Sequence, residues 1–152
     1  MASVRIIDDL VVRAPIADVW AAIKDPAGHT AWHPFLTAIE GDHALGATRS
    51  CSANVGGKQG MTRERCIAEE QERRICWAIE EDSTGFSRMV SDWRAGFSLE
   101  STGAGTRVEA ESVFRPRSVL VRMMTPIVRR KFHRAQRTIL AGLKSACEQP
   151  AS

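Results

Sequence analysis

Hydrophobic and polar positions follow two different periods along this chain, and the boundaries between them mark the elements. Residues 4–13 (Val-Arg-Ile-Ile-Asp-Asp-Leu-Val-Val-Arg) are rich in branched side chains and predict a strand. Ala14-Pro15 follows, with proline where a first helical turn tolerates it. Ile16, Val19, Trp20 and Ile23 then recur at i, i+3, i+4 and i+7, the spacing of one buried helix face. Asp25-Pro26 stops that helix, because a residue before proline is pushed out of the α region. A short second helix or irregular turn is expected around Ala27–Trp32.

From Phe35 to Arg115 the period is two. The predicted strands cover about 35–41, 46–54, 58–69, 73–81, 88–100 and 105–115. Turn signals separate them: Gly41-Asp42, Gly56-Gly57, Glu70–Glu72, Ser83-Thr84-Gly85 and Gly103-Ala104-Gly105. Connections this short favour an antiparallel meander. Ile75, Trp77 and Ile79 share one face, as do Trp93, Ala95, Phe97 and Leu99, and Val108, Ala110, Ser112 and Phe114. A sheet with one apolar face must cover it.

The cover follows Pro116. At about 100° per residue, Val128, Phe132, Ala135, Ile139, Leu143 and Ala146 form one stripe, with Arg130, Arg134, Arg137 and Lys144 opposite. Leu120, Met123, Met124 and Ile127 form an offset stripe just before it, and Pro126 predicts a kink or break where the stripes meet. The reading is α+β: a seven-stranded curved antiparallel sheet wrapped on a long C-terminal helix, with two short helices after the first strand. A bent sheet gripping one helix leaves a widening wedge that side chains cannot fill, so an internal apolar cavity is expected.

Composition narrows the setting. The 152 residues are 43% hydrophobic and 26% charged, ordinary values for one globular domain over 1–152. No apolar run approaches the roughly 18 residues of a membrane span. The opening Met1-Ala2-Ser3-Val4-Arg5 lacks the basic-then-apolar pattern of an export signal, so the cytoplasm is the expected location. Cys51, Cys66, Cys76 and Cys147 form no CxxC pair and read as small buried thiols rather than a disulfide framework. Net charge is +3, yet Arg115 to Lys144 holds nine Lys or Arg and no Asp or Glu, leaving −6 for the rest.

Several local patterns carry a family likeness: Ala14-Pro15-Ile16-Ala17-Asp18-Val19-Trp20, Trp32-His33-Pro34, Leu45-Gly46-Ala47-Thr48-Arg49, Arg63-Glu64-Arg65, Gly105-Thr106-Arg107-Val108 and the closing Leu140-Ala141-Gly142-Leu143-Lys144. In this order the chain resembles the helix-grip superfamily of START domains, the birch-pollen allergen and bacterial polyketide cyclase/dehydrase-like proteins. The resemblance spans nearly the whole chain and implies a helix-grip fold around a ligand cavity. It does not single out an activity, because members serve as lipid carriers, receptors, aromatase/cyclases and stress proteins. The Gly-x-x-Arg and Arg-Glu-Arg strands are also similar to plant abscisic-acid receptors, which implies that Glu64 faces inward. The sequence departs from those receptors at Asn54-Val55-Gly56-Gly57-Lys58, where their gate loop stands, and it lacks their His-Arg-Leu latch.

Among candidate polar groups, Arg49 and Glu64 come first. Alternation places Arg49 on the side of Cys51 and Ala53, and Glu64 with Cys66. Arg49 would hold a ligand carbonyl, enolate or carboxylate by forked hydrogen bonds while Glu64 orders it. The plainer reading is a structural ion pair or a surface cross-strand pair. His29 and His33, four apart, have a metal-ligand spacing, but Pro34 follows and no HExxH pattern exists, so no metal is expected. His33 beside Trp32 is expected at the cavity mouth, where an imidazole can serve as a general base. His43 reads as a turn residue and His133 as solvated. The glycines at 56, 57 and 60 open no helix and make no phosphate loop, and no Gly-x-Ser-x-Gly is present.

Three functions follow as expectations. The first is binding, with transport or sequestration, of a lipid or polyketide-like molecule without cofactor. Its wall would be Trp32, Phe35, Arg49, Cys51, Met61, Glu64, Trp77, Ile79, Met89, Trp93, Ser112, Met123, Met124 and Ile127, with Phe97 as a further aromatic. The second is a polyketide cyclase/dehydratase in which Arg49 stabilises an enolate and Glu64 or His33 moves the proton. The third is an interaction module using Arg129-Arg130-Lys131-Phe132-His133-Arg134. That run offers no aromatic platform for bases, so nucleic acid is not expected, whereas peripheral contact with an anionic membrane surface is its second use after plain solvation. The sequence leaves the oligomeric state open.

Overall fold

The computed structural model describes residues 2–149; Met1 and residues 150–152 of the expected 1–152 domain lie outside them. The elements in chain order are β1 (Val4–Val12), α1 (Ile16–Lys24), α2 (Pro26–Trp32), β2 (Leu36–Gly41), β3 (Thr48–Val55), β4 (Lys58–Glu70), β5 (Arg74–Asp82), α3 (Phe86–Met89), β6 (Val90–Thr102), β7 (Gly105–Pro116), α4 (Val119–Met123) and α5 (Thr125–Glu148). The strands form one curved antiparallel sheet in the order β1-β7-β6-β5-β4-β3-β2. The meander runs from β2 to β7, and β1 closes on β7 with Val4 opposite Phe114 and Val12 opposite Thr106.

Asp25 ends one helix and begins the next. It follows the last residue of α1, and its carboxylate accepts from the Gly28 N–H at 3.2 Å at the start of α2, where Pro26 needs no donor. The carbonyls left free at the end of α1 are then taken by side chains. Trp32 Nε1 donates to Ala22 O at 2.8 Å, and Nδ1 of both His29 and His43 contacts Ile23 O at 3.0 and 3.1 Å. Lys24 reaches the His43 carbonyl and Glu69. The end of α1 is thereby tied to α2, to the β2–β3 loop and to β4.

Two apolar clusters flank the helix–sheet interface. The larger joins Val19, Trp20 and Ile23 of α1 to Trp77, Phe97 and Leu99 of the sheet and to Leu140 and Leu143 of α5. The smaller packs Val4, Ile6, Val90 and Phe114 against Phe86, Trp93, Val121, Val128 and Phe132. Between them a polar peg enters from α5. Gln136 is 5% exposed, accepts from Ser112 Oγ at 2.7 Å and donates to Asp8 Oδ2 at 2.8 Å. Asp8, itself buried, also contacts His133 Nδ1 at 2.8 Å and Arg137 Nε at 3.1 Å.

Some details correct the sequence reading. The buried seam of α5 is Gln136, Leu140 and Leu143, continued by half-buried Val128 and Phe132, whereas Ala135 and Ile139 are half-buried and Ala146 is exposed. The apolar pattern misplaces the seam because one of its buried residues, Gln136, is polar and satisfied. The break near Pro126 is present, two residues earlier, at Met124 between α4 and α5. The stripe before it is not buried: Leu120, Met123, Met124 and Ile127 are 70%, 74%, 43% and 58% exposed. His133 is half-buried against Asp8 rather than solvated, and the turn residue His43 is fully buried. The β5–β6 connection contains an unforeseen helix, α3. Cys51, Cys66 and Cys76 are buried, Cys147 is half-buried, and all four are free.

Gly142 lets α5 approach α2. A Cβ there would lie 2.7 Å from Trp32 O and 3.4 Å from Pro34 Cδ. Glycine to alanine inside a helix ordinarily gains up to about 1 kcal/mol. Here Gly142→Ala is expected to cost about 1–3 kcal/mol through overpacking; urea unfolding of the two proteins measures it, and a stabilised variant would refute the close approach.

Candidate functional site

Residues paired across β3 and β4 place a guanidinium and a carboxylate inside the grip. Arg49 lies opposite Glu64, and the two are 5% and 9% exposed. Arg49 Nη2 and Nε both donate to Glu64 Oε1, at 2.7 and 3.1 Å. The other carboxylate oxygen, Oε2, accepts from Thr62 Oγ1 at 2.6 Å. Arg49 Nη1 lies 2.8 Å from His43 Nε2, and its guanidinium carbon sits 3.8 Å from the centre of the Trp77 ring. Of the five N–H donors of an arginine, three are thus committed.

The hydrogen bonds also fix the protons on three histidines. His43 gives its Nδ1 proton to Ile23 O, so its Nε2 lone pair faces Arg49. Burial first, then the Arg49 charge, lowers its pKa to about 4. His33 Nδ1 accepts the backbone N–H groups of Phe35 and Leu36, both at 3.1 Å, which leaves its proton on Nε2. Burial and then Arg49 lower its pKa to about 3. His29 donates Nδ1–H to Ile23 O, leaving Nε2 as an acceptor, and burial followed by Arg49 holds it well below the usual histidine range. All three are neutral near pH 7. Their rings gather, His29 lying 5.4 Å from both His33 and His43. Burial pushes the Cys51 thiol up to about 11, which keeps it protonated and unreactive.

A pocket of about 150 Å³ opens beside this group. His29, His33, Arg49, Glu64, Glu111 (itself paired with Arg5), Ser112 and Gln136 supply its polar wall; Leu36, Trp77, Ala95, Gly96, Phe97, Ala110 and Ile139 supply the rest. Ser112 and Gln136 satisfy each other. The buried Trp77 Nε1, by contrast, has no hydrogen-bond partner, and neither Nε2 of His29 nor that of His33 bonds to the protein among the described residues. The described residues include no group of three or more His, Cys, Asp or Glu placed to hold a metal.

Of the residues proposed from sequence, Arg49, Glu64, His33, Trp77, Ser112 and Phe97 meet at this pocket. Trp32 is buried nearby in the main core, its ring tilted against His29 with centroids 4.7 Å apart, and Phe35 stands edge-on to His33. Cys51 is buried behind the ion pair. Ile79 lies just past Ala78–Arg94, where β5 and β6 part, and lines an outer depression with Arg65 and Asp92. Trp93 belongs to the second apolar cluster. Met61, Met89, Met123, Met124 and Ile127 are 39–74% exposed and do not reach the pocket. His29, Leu36, Ala95, Ala110, Gln136 and Ile139 line it without having been proposed. The shared inward parity of Ala95 with Phe97, and of Ala110 with Ser112, is the signal that would have found two of them.

A family model described as polyketide cyclase / dehydrase and lipid transport matches residues 4–148. Among solved structures, the Zhui aromatase/cyclase from Streptomyces sp. R1128 is similar at a TM-score of 0.76 and 16% identity, over 97% of this chain and 94% of that one. A START superfamily protein from Mycobacterium smegmatis gives 0.77 and 12%, over 95% and 97%. The ginseng major latex-like protein 151 from Panax ginseng gives 0.78 and 10%, over 97% and 99%. At such identities they show the fold, which is the helix-grip arrangement. No curated protein sequence matches the chain.

Two outcomes test this geometry. Arg49→Met leaves Glu64 a buried charge without its partner and is expected to cost about 3–5 kcal/mol, most of it recovered in Arg49→Met/Glu64→Gln. Urea unfolding of the set decides, and an additive double variant would show the pair uncoupled. Stability should also fall with pH. Below the usual histidine pKa of 6.5 the unfolded chain takes up protons that folded His29, His33 and His43 refuse. Their contribution is therefore full above 6.5 and declines as pH drops towards the folded values, at about 1.4 kcal/mol per pH unit for each histidine. Equal urea midpoints at about pH 7 and about pH 5 would contradict the buried neutral triad.

Proposed function

We propose that this chain, which belongs to the polyketide cyclase / dehydrase and lipid transport family, binds a neutral, single-ring-sized hydrophobic molecule carrying a hydroxyl or carbonyl. The observation that carries the reading is the Trp77 indole N–H, buried without an acceptor on a residue that lines the pocket. An unpaired buried donor costs about 1–3 kcal/mol, which a ligand oxygen would return. His33 Nε2–H offers a second donor, and His29 Nε2 an acceptor for a hydroxyl. The wall between them is apolar and aromatic, as small-molecule sites commonly are. The chain 1–152 is read as one unit serving this pocket.

Size supports a small occupant over a diacyl lipid or an extended polyketide. The volume of about 150 Å³ is like that of an engineered protein cavity which holds one benzene, whereas drug-sized sites run to roughly 300–1,000 Å³. Charge supports a neutral one, because Glu64 already compensates Arg49. The same facts weigh against the cyclase/dehydratase reading. A His33 pKa of about 3 makes it a feeble base at neutral pH, and the arginine intended for an enolate is largely engaged.

Calorimetry with phenol, benzoate and palmitate tests the proposal. Phenol is expected to bind at about 0.1–1 mM, the range open to a single ring, with benzoate much weaker. His33→Asn, whose Oδ1 can still accept from Phe35 and Leu36 N–H while the Nε2–H is lost, should weaken phenol by about tenfold. A protein that instead carries a tightly held diacyl lipid through purification, seen by mass spectrometry of its extract, or that prefers palmitate, would overturn the size argument.

A further inference from the structure

The junction of α4 and α5 exposes what a folded chain ordinarily hides. Val119, Leu120, Met123, Met124 and Ile127 are 67%, 70%, 74%, 43% and 58% exposed, five large apolar side chains within nine positions. Isolated apolar residues on a surface need no explanation, but a contiguous cluster does. These side chains are not a failed core face. Val121 and Val128 of the same segment turn inward onto the second apolar cluster, so the junction is anchored with its other side outward.

Charge surrounds this tip. The sequence has no Asp or Glu from Ser112 to Cys147. Arg129 and Arg137 are occupied, the first by the Arg5 carbonyl and the second by Asp8. Arg122, Arg130, Lys131 and Arg134, in contrast, make no ion pair among the described residues. Ile127 lines one surface trough together with Arg130, Lys131, Arg134 and Arg137, so apolar and basic groups share a face of α5.

We propose that this face docks the protein peripherally on an anionic lipid bilayer, with Leu120, Met123 and Ile127 at the acyl boundary and Arg122, Arg130, Lys131 and Arg134 among the headgroup phosphates. Amphipathic helices that lie in an interface combine these two features. Each basic side chain near an anionic leaflet adds attraction, and long arginine and lysine stems let the charge stay in the headgroups while the helix sinks. Nucleic acid would use the charge but not the apolar tip. The aromatic ring on this stretch, Phe132, packs against Phe86, Trp93 and Phe114 and is not free to stack on bases.

Vesicle flotation tests the surface independently of the pocket. The full chain should float with phosphatidylcholine vesicles containing about a third phosphatidylglycerol, fail to float with phosphatidylcholine alone, and detach as salt rises. Leu120→Ser/Met123→Ser and Arg130→Gln/Lys131→Gln should each weaken binding by about tenfold or more while leaving the melting temperature in place, since all four side chains are outside the core. Three results would overturn the proposal. One is failure to float with anionic vesicles even at low salt, or equal flotation with both kinds. A second is tighter binding to duplex DNA that the serine variant leaves unchanged. The third is a dimer in sedimentation that Leu120→Ser/Met123→Ser dissociates.

Discussion

A guanidinium withdrawn from water has to find its counter-charge and its acceptors inside the protein, and Arg49 finds them on two strands and a loop. Glu64 of β4 neutralises it, His43 of the β2–β3 loop accepts from it, and the Trp77 ring of β5 covers it. Burying such a charge is tolerable only when every partner is in place. The loop carrying His43 is therefore not free to wander. His43 in turn is tied to the end of α1 through Ile23 O, so one buried charge connects the sheet to the helical lid. The positive charge also acts at a distance. It adds to burial in keeping His29, His33 and His43 neutral, which decides what the pocket can donate and accept.

A second buried polar group does different work on the opposite side of the pocket. Gln136 reaches from α5 to Ser112 of β7 and to Asp8 of β1. The hydrophobic effect alone would not fix where the helix sits along the sheet, because it is non-directional. Hydrogen bonds at fixed length set its register. The apolar clusters lie to either side of this peg, and the pocket opens between Gln136 and the Arg49 group, where the wall turns from satisfied polar atoms to unsatisfied ones.

The order of the elements is legible in the sequence, because period two over 35–115 and the helical periods before and after it reflect which faces are buried. Arg49 and Glu64 are legible for the same reason, since alternation along β3 and β4 survives in the structure. What escapes is whatever tertiary contact decides. His43 sits in a loop and reads as exposed; only the orphan carbonyl of Ile23 and the charge of Arg49, distant in sequence, draw it in. The α5 seam is misplaced because Gln136 is polar, and hydropathy cannot register that its amide is satisfied from two strands. Met123, Met124 and Ile127 err in the other direction. Hydropathy assigns every apolar residue to an interior, yet these stand exposed at the junction of α4 and α5.

Binding and catalysis make different demands on the same polar groups, and the balance of charge inside the grip separates them. A cationic side chain stabilises an enolate most when it is poorly compensated in the ground state and compensated in the transition state. Arg49 is compensated already, by a carboxylate 2.7 Å away whose other oxygen is held by Thr62. A proton acceptor must compete with water for the proton, and the neighbouring histidines are disarmed by the burial and charge that keep them neutral. Together with Trp77 they retain a directional but uncharged capacity: the N–H groups of Trp77 Nε1 and His33 Nε2 and the lone pair of His29 Nε2, against aromatic and aliphatic walls. Donors and acceptors of that kind are strengthened when they meet a ligand oxygen away from water. Under the proposed reading the interior holds a molecule, while an acid-free run of basic side chains occupies α5.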